Sequence, residues 1–403
     1  MSEIFIALAG VPAGIWLYML LFRGAFWRER PDASSPAADA CGSSAPEIAV
    51  IVPARDEAGV VGDVVRALLG QNYTGPVTVV LVDDNSADGT GHEATEAARA
   101  AIAAGSPHRF RLVAGKKLAA GWTGKLWAVH QGLAEAQRVA PKAKYVLLTD
   151  ADILHAPDSL ISLVARAERG RFKLVSLMAR LRTDTFAEKA LIPAYIFFFQ
   201  KLYPFAWVCD PKHKLGAAAG GCMLVRASAL KEIGGIAAIR GALIDDCALG
   251  RAIKKTGPIW LGLAGNVSSL RGYPAWSDIW NLIARSAFTQ LNHSTLLLIG
   301  SVLGMVLTYL LPPLLTISSD PGIRPLGIIA WAMMVFAYLP TLANYQRSPL
   351  WAPFLPLVAG YYTLATIASA WRYWRGKGGQ WKGRAQAENV KHAKGGHDAK
   401  GAA

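Results

Sequence analysis

The sequence predicts an α/β domain, a mostly parallel sheet wrapped by helices, joined to membrane-spanning segments. Short apolar runs rich in β-branched residues alternate with stretches of helical period between residues 47 and 178, the pattern of consecutive βα units. These runs end in acidic turns, at Asp56-Glu57, Asp83-Asp84 and Asp150-Ala-Asp152, where open α/β sheets bind ligands. Four uncharged apolar stretches, 4–22, 295–317, 325–343 and 350–371, approach the ~20 residues a spanning helix needs.

The stretch 4–22 is followed by Arg23, Arg28 and Arg30. The positive-inside rule then puts that end in the cytoplasm and the Met-Ser-Glu start outside. A cleaved signal peptide carries its basic residues before the apolar run, so an uncleaved anchor over 1–23 is expected. Residues 24–46 read as a linker, rich in Ala, Ser and Pro from Pro31 onwards.

Residues 47–53, Glu-Ile-Ala-Val-Ile-Val-Pro53, form a first buried strand, ending in Ala54-Arg55-Asp56-Glu57. Val60, Val61, Val64, Val65, Leu68 and Leu69 then fall at helical spacing. Residues 77–82 form a second strand, ending in Asp83-Asp84-Asn85-Ser86-Ala-Asp88-Gly89-Thr90. Turn chemistry and capping of the next helix account for those acids; hydrogen bonding to a nucleotide's base or ribose accounts for them equally well. A short strand at 110–113 precedes Gly121-Trp122-Thr123-Gly124-Lys125. Lys125 opens a helix, where its charge opposes the helix dipole, a cost that contact with a diphosphate would offset. The Gly-x4-Gly-Lys-Ser/Thr pattern of a P-loop is absent.

Tyr145-Val-Leu-Leu-Thr-Asp150-Ala-Asp152 is a buried strand ending in two carboxylates. In extended chain, alternate side chains point the same way, so Asp150 and Asp152 are expected to project together, suited to a hard divalent cation carrying phosphates. A helix over 157–169 and a strand over 172–178 continue the alternation. Residues 190–208 are apolar and aromatic, and read as an interfacial helix with Lys201 reaching outwards or, about as well, as a buried core helix. Residues 216–226 pair small residues with a following strand, and Gly220 and Gly221 permit close approach of a ligand. Ile244-Asp245-Asp246-Cys247 opens a further helix, where the acids either cap it or supply a general base.

In order, Val-Pro-Ala-Arg-Asp-Glu57, Val-Asp-Asp-Asn-Ser-x-Asp-Gly-Thr90, Gly-Trp-x-Gly-Lys125 and Asp150-x-Asp152 resemble the family 2 inverting glycosyltransferases of GT-A fold, with a mixed, mostly parallel sheet. The membrane layout is similar to the ceramide-glucosyltransferase-like branch. Trp122-Thr-Gly-Lys125, Phe197-Phe-Phe-Gln-Lys-Leu-Tyr-Pro204 and Arg285-Ser-Ala-Phe-Thr-Gln-Leu291 resemble the bacterial hopene-associated members. The likeness covers about 47–292, the expected cytosolic catalytic domain.

The resemblance implies roles position by position. Pro53, Arg55, Glu57, Asp83, Asp84, Lys125 and Asp150 would face the nucleotide-sugar donor. Asp152, with Asp150, would hold Mg2+ or Mn2+ against the diphosphate. Trp122, Gly220 and Gly221 would lie beside the sugar and acceptor. Asp246 would be the catalytic base with Asp245 in support, although the family pair is Glu-Asp. The family's terminal Gln/Arg-x-x-Arg-Trp motif is missing, and Arg285 or Arg271 could offer a guanidinium to the leaving group instead.

Composition bounds the partners. The chain of 403 residues carries 42 Lys and Arg against 28 Asp and Glu, a net charge of +14, and is 53% hydrophobic. That combination points to an anionic membrane surface rather than nucleic acid. The four cysteines lack metal-ligand spacing. Residues 293–371 then form a C-terminal membrane region of two to three spans, and the tail, 372–403, carries eight basic residues against two acids, reading as disordered and cytoplasmic. Three crossings would place that tail outside, so charge and span count conflict. The expected protein is a multi-pass inner-membrane enzyme with a cytoplasmic catalytic domain, moving a sugar from a nucleotide diphosphate, a UDP-sugar by expectation, to a lipid hydroxyl, hopanoid-related by resemblance. A processive polysaccharide synthase is the rival enzyme, and a non-catalytic membrane scaffold the rival of another class.

Overall fold

The computed structural model describes residues 2–28, 45–376, 380–381 and 384–385. The chain divides into two compact units: Met1–Glu29, Arg182–Trp207 and Gly272–Gly378 form one, and Arg30–Leu181, Val208–Arg271 and Gly379–Ala403 the other.

The second of these is built on one eight-stranded sheet. Its strands are β1 (Ile48–Ala54), β2 (Val77–Asp83), β3 (Arg109–Ala114), β4 (Tyr145–Thr149), β5 (Ile153–His155), β6 (Leu174–Arg180), β7 (Cys222–Arg226) and β8 (Ile259–Ser269), in the order β3-β2-β1-β4-β7-β6-β8-β5. Strands β3, β2, β1 and β4 run parallel to one another. Strand β7 enters antiparallel between β4 and β6, so the sheet is mixed. Every residue of β1 is buried, as expected for a parallel strand covered on both faces, which reads in sequence as a continuous apolar run. The helix Val61–Leu69 buries Val61, Val64, Val65, Leu68 and Leu69, the spacing that marked it in the sequence.

Two differences from expectation bear on the site. Strand β4 stops at Thr149, and Asp150 to Asp152 form a turn closed by Ile153 N donating to Asp150 O at 3.2 Å. The two acids therefore converge through a turn and not through strand alternation. Strand β8 was not anticipated, because Gly262 and Gly265 interrupt its pattern. A methyl on Gly262 would meet the Trp260 ring at 2.2 Å, so the glycine makes room for that ring to lie over the strand.

The other unit is helical. Four segments are long and apolar enough to cross a membrane: Glu3–Phe22, Thr295–Leu315, Ile323–Asn344 and Pro349–Trp374. That is one near the N-terminus and three later. Val306–Leu310 is a π-helical turn inside the second. Pro312 has no N–H to offer the Thr308 carbonyl one turn back, and the indole Nε1 of buried Trp16 donates to that oxygen at 2.8 Å. An apolar setting requires such a replacement.

The helix Phe186–Leu202 begins with a capping box from Thr185 and Glu188. Of the two readings of this stretch, the buried helix holds, and Lys201 does not reach outwards. Its ammonium lies over the rings of Tyr309, at 4.7 Å, and Phe198, at 5.1 Å, and the helix buries eleven of its residues, Ile192, Phe197 and Gln200 among them. Of the predicted tail, Arg372 to Trp374 complete the last helix, and Gln380–Trp381 pairs antiparallel with Arg384–Ala385. Arg375 and Gly376 form the turn after that helix; the remainder of the tail, and residues 29–44 of the predicted linker, lie outside the described residues.

Candidate active site

The site is assembled at the ends of β1, β2 and β4 with the start of two helices. Lys125 stands at its centre. Its Nζ lies 2.8 Å from Asp150 Oδ1 and 3.2 Å from Asp245 Oδ2. The helix Gly124–Val139 presents it, and the helix Asp245–Lys254 presents the acid. Burial opposes the lysine's charge, but Asp150, Asp245 and Asp246 outweigh it and raise its pKa. The unfavourable placement of a lysine in the first turn of a helix is thus offset by carboxylates of the protein itself. Asp150 in turn is pushed above the usual carboxylate range, first by burial, and by Asp152 and Asp245 against the pull of Lys125.

Asp246 is held differently. Oδ2 accepts from the Gly220 amide at 3.0 Å and Oδ1 from the Cys247 amide at 2.6 Å. Burial, then the neighbouring Asp245, push its pKa up to about 6. Such a carboxylate is ionised at neutral pH yet basic enough to take a proton. A methyl on Gly220 would lie 3.4 Å from both Asp246 Oδ2 and Lys125 Nζ, so no side chain intervenes between the glycine and these two groups. Pro53, Lys125, Asp150, Gly220 and Asp245 line one small cavity.

Asp152 takes another partner. Its Oδ2 pairs with Arg271 Nε at 2.9 Å, while Arg271 Nη2 reaches Glu57 Oε1 at 2.9 Å and Oε2 at 3.1 Å. Arg271 therefore ties the turn after β4 to the loop after β1. Glu57 is anchored through its own amide, which donates to Thr90 Oγ1 at 2.8 Å.

The acids after β2 prove unequal. Asp84 is 0% exposed and faces Arg55, with Nη1 3.8 Å from Oδ2. Arg55 also donates to the Asp84 carbonyl. Arg55 and Asp84, both expected at the nucleotide, here pair with each other and hold the ends of β1 and β2 together. Asp83 is partly exposed, but its Oδ1 accepts from the Ser86 amide at 2.9 Å, the turn chemistry that the sequence left level with a nucleotide role. Trp122 packs its ring 4.7 Å from His130 and 5.3 Å from Trp127. Arg285 belongs to the other unit, where it caps the helix Trp276–Ala284.

One network was not legible in the sequence. Thr149 Oγ1 donates to the Gly221 carbonyl at 2.8 Å and lies 2.9 Å from His155 Nε2. With the hydroxyl proton committed to Gly221, the imidazole Nε2–H must donate to Thr149. His155 is 2% exposed, and burial pushes its pKa down to about 4. The neutral ring braces the Asp150–Asp152 turn against the Gly220–Gly221 segment. Nothing marks a histidine six residues after a threonine as its partner until the turn between them is known.

Among the described residues no three His, Cys, Asp or Glu side chains form a ready-made metal cage. Asp150 and Asp152 nonetheless fit a hard divalent cation by their chemistry. They are hard oxygen donors on one turn, and Asp150 is a partly buried carboxylate whose ionised form is favoured by positive charge nearby. Mg2+ and Mn2+ sites of this kind complete their shells with phosphate oxygens and water.

Residues 49–234 match the family model described as Glycosyl transferase family 2. Among solved structures the chain is similar to the mannosyltransferase PcManGT from Pyrobaculum calidifontis in complex with GDP-Man and Mn2+, at 20% identity and TM-score 0.50, over 92% of this chain and 96% of that one. It is also similar to glucosyl-3-phosphoglycerate synthase from Mycobacterium tuberculosis, at 16% identity and TM-score 0.39, over 61% of this chain and 79% of that one. A third similarity is to S. aureus TarS 1-349 in complex with UDP-GlcNAc, at 12% identity and TM-score 0.37, over 82% and 92% of the two chains. No curated protein matches the chain.

Proposed function

We propose that this chain, which carries a family 2 glycosyltransferase domain of GT-A fold, transfers a sugar with inversion from a nucleotide-diphosphate donor to the hydroxyl of a lipid. The observation that carries the reading is Lys125 standing between Asp150 and Asp245, with Asp246 next in the chain. One cation joins the turn suited to a donor diphosphate with the helix start suited to activating an acceptor.

In the transfer, Asp246 takes the proton of the acceptor hydroxyl as that oxygen attacks the anomeric carbon. The bond from that carbon to the diphosphate oxygen breaks on the opposite face, and the electron pair leaves with the nucleotide diphosphate. Lys125, charged throughout, offsets negative charge on the departing group while keeping Asp245 from repelling it. The Gly220 and Cys247 amides fix the Asp246 carboxylate, leaving a lone pair of one oxygen for the incoming proton. Asp150 and Asp152 would hold Mg2+ or Mn2+, whose chemistry there is to neutralise the diphosphate. The mannosyltransferase neighbour, crystallised with GDP-Man and Mn2+, supports a nucleotide-sugar donor and a divalent ion. A UDP-sugar remains the donor expected from the sequence resemblance.

Four helices able to cross a bilayer and the net charge of +14 support an acceptor dissolved in the membrane and a multi-pass inner-membrane enzyme whose sheet unit faces the cytoplasm. The resemblance to hopene-associated members favours a polycyclic lipid alcohol. The test is release of nucleotide diphosphate by detergent-purified protein from UDP- and GDP-sugars with Mn2+, with and without a membrane lipid extract. Turnover that requires the lipid fraction supports the reading; turnover that elongates a sugar chain instead would favour a polysaccharide synthase.

A further inference from the structure

The geometry of Arg271 points to a built-in competitor for the metal. We infer that the Arg271 guanidinium occupies Asp152 in the donor-free protein, and that a divalent cation enters by displacing it while Glu57 keeps hold of the arginine. This rests on the proposal that Asp152 is a metal-binding carboxylate.

Three observations carry it. Arg271 Nε is 2.9 Å from Asp152 Oδ2, the distance of a direct charge-assisted hydrogen bond, so the guanidinium charge opposes a divalent cation at that carboxylate while the contact lasts. The second contact of the guanidinium uses a different nitrogen: Nη2 meets both oxygens of Glu57, at 2.9 and 3.1 Å. Releasing Asp152 therefore leaves Arg271 still anchored and still beside the site. Finally, the backbone keeps Asp152 in place when the arginine leaves, since Leu270 N donates to Asp152 O at 2.7 Å. Ser269, two residues before the arginine, also has Oγ 3.5 Å from Asp152 Oδ2.

The chemistry favours an exchange over a static clasp. Arg271 is 34% exposed on its side chain, so its charge can move towards solvent or an anion without a large desolvation penalty. A diphosphate brought with the cation gives the freed Nε–H a new anionic acceptor, and guanidinium suits phosphate oxygens. Arg271 thus weakens binding of the ion alone and strengthens binding of ion and donor together. This couples the two ligands, because each is bound better when the other is present.

The test is a titration of the full-length protein in detergent with Mn2+ alone, read by the electron paramagnetic resonance of free Mn2+, followed by a nucleotide-sugar titration at saturating Mn2+. Arg271→Gln is expected to bind Mn2+ alone several-fold to tenfold more tightly than the parent, and to bind the donor more weakly at saturating metal. Arg271→Lys, which keeps the charge but cannot span Glu57 and Asp152, is expected to fall between. Equal or weaker Mn2+ binding by both variants, with their circular dichroism unchanged, would overturn the competition. Asp152→Asn separates the premise from the inference: unchanged Mn2+ binding in that variant overturns the metal role itself, whereas lost binding there with no gain in Arg271→Gln overturns only the competition.

Discussion

The Gly220 amide donates to Asp246 Oδ2 at 3.0 Å, joining the segment that leads into β7 to the helix that carries the acid pair. Asp246 is therefore a positioned carboxylate and not only a capping residue, and the other side chains of the site can be judged by what they do to it or to the turn after β4.

Lys125 holds three acids together, so its removal should be felt in stability as well as in turnover. Lys125→Met leaves Asp150, Asp245 and Asp246 facing each other without a cation. Breaking a buried pair costs about 3–5 kcal/mol; with Asp150 34% and Asp245 18% exposed on their side chains, roughly 2 kcal/mol is expected. The loss should be larger at pH 8 than at pH 5, because Asp246 takes up a proton near pH 6 and the repulsion then falls. Thermal melts of parent and variant at the two pH values check this, and an equal loss at both would contradict it.

His155 should set an acid limit on the sheet unit. Its pKa falls from 6.5 to about 4 on folding, so its contribution is fully present above about pH 6.5 and is lost as pH drops through about 4. A difference of that size corresponds to roughly 3 kcal/mol. His155→Gln should remove this part of the pH dependence, so that the gap in melting temperature between parent and variant narrows steadily from pH 7 to pH 4. A gap that stays constant would show that the imidazole is not held neutral.

Gly250→Ala should disable the site from a distance. An added methyl would sit 2.4 Å from the Ala217 carbonyl carbon and 2.8 Å from Ala218 N, which are backbone atoms that cannot step aside. Overpacking of this kind costs about 1–3 kcal/mol, and relief requires the helix Asp245–Lys254 to shift away from the Gly216–Gly221 segment. The variant is expected to melt lower and to lose turnover while keeping Mn2+ binding at Asp152, measured by Mn2+ titration.

What the sequence made legible follows from which forces act locally. Strands β1, β2 and β4 were visible because parallel strands buried on both faces must be apolar throughout, and the helix Val61–Leu69 because one face must be. Lys125, Asp150, Asp152, Asp245 and Asp246 stood out through residue order, and the structure brings the first, second and fourth within direct ion-pair distance. Long-range partners were not legible. The Arg55–Asp84 pair could not be foreseen, since a carboxylate in a turn looks the same in sequence whether a nucleotide or a guanidinium meets it. Lys201 looked like a snorkelling lysine because nothing nearby in sequence announces the Tyr309 ring, more than a hundred residues later, that receives it.

The central claim is that Asp246 is the base of an inverting transfer, and the pH dependence of kcat/KM tests it most directly. With Asp246 near 6 and active when ionised, the rate should climb tenfold per pH unit below about 6 and level off above it. Asp246→Asn should lose about 10^2- to 10^4-fold at the plateau with Mn2+ and donor binding retained. A parent profile flat from pH 5 to 8, together with an Asp246→Asn variant that keeps parental turnover, would contradict the account.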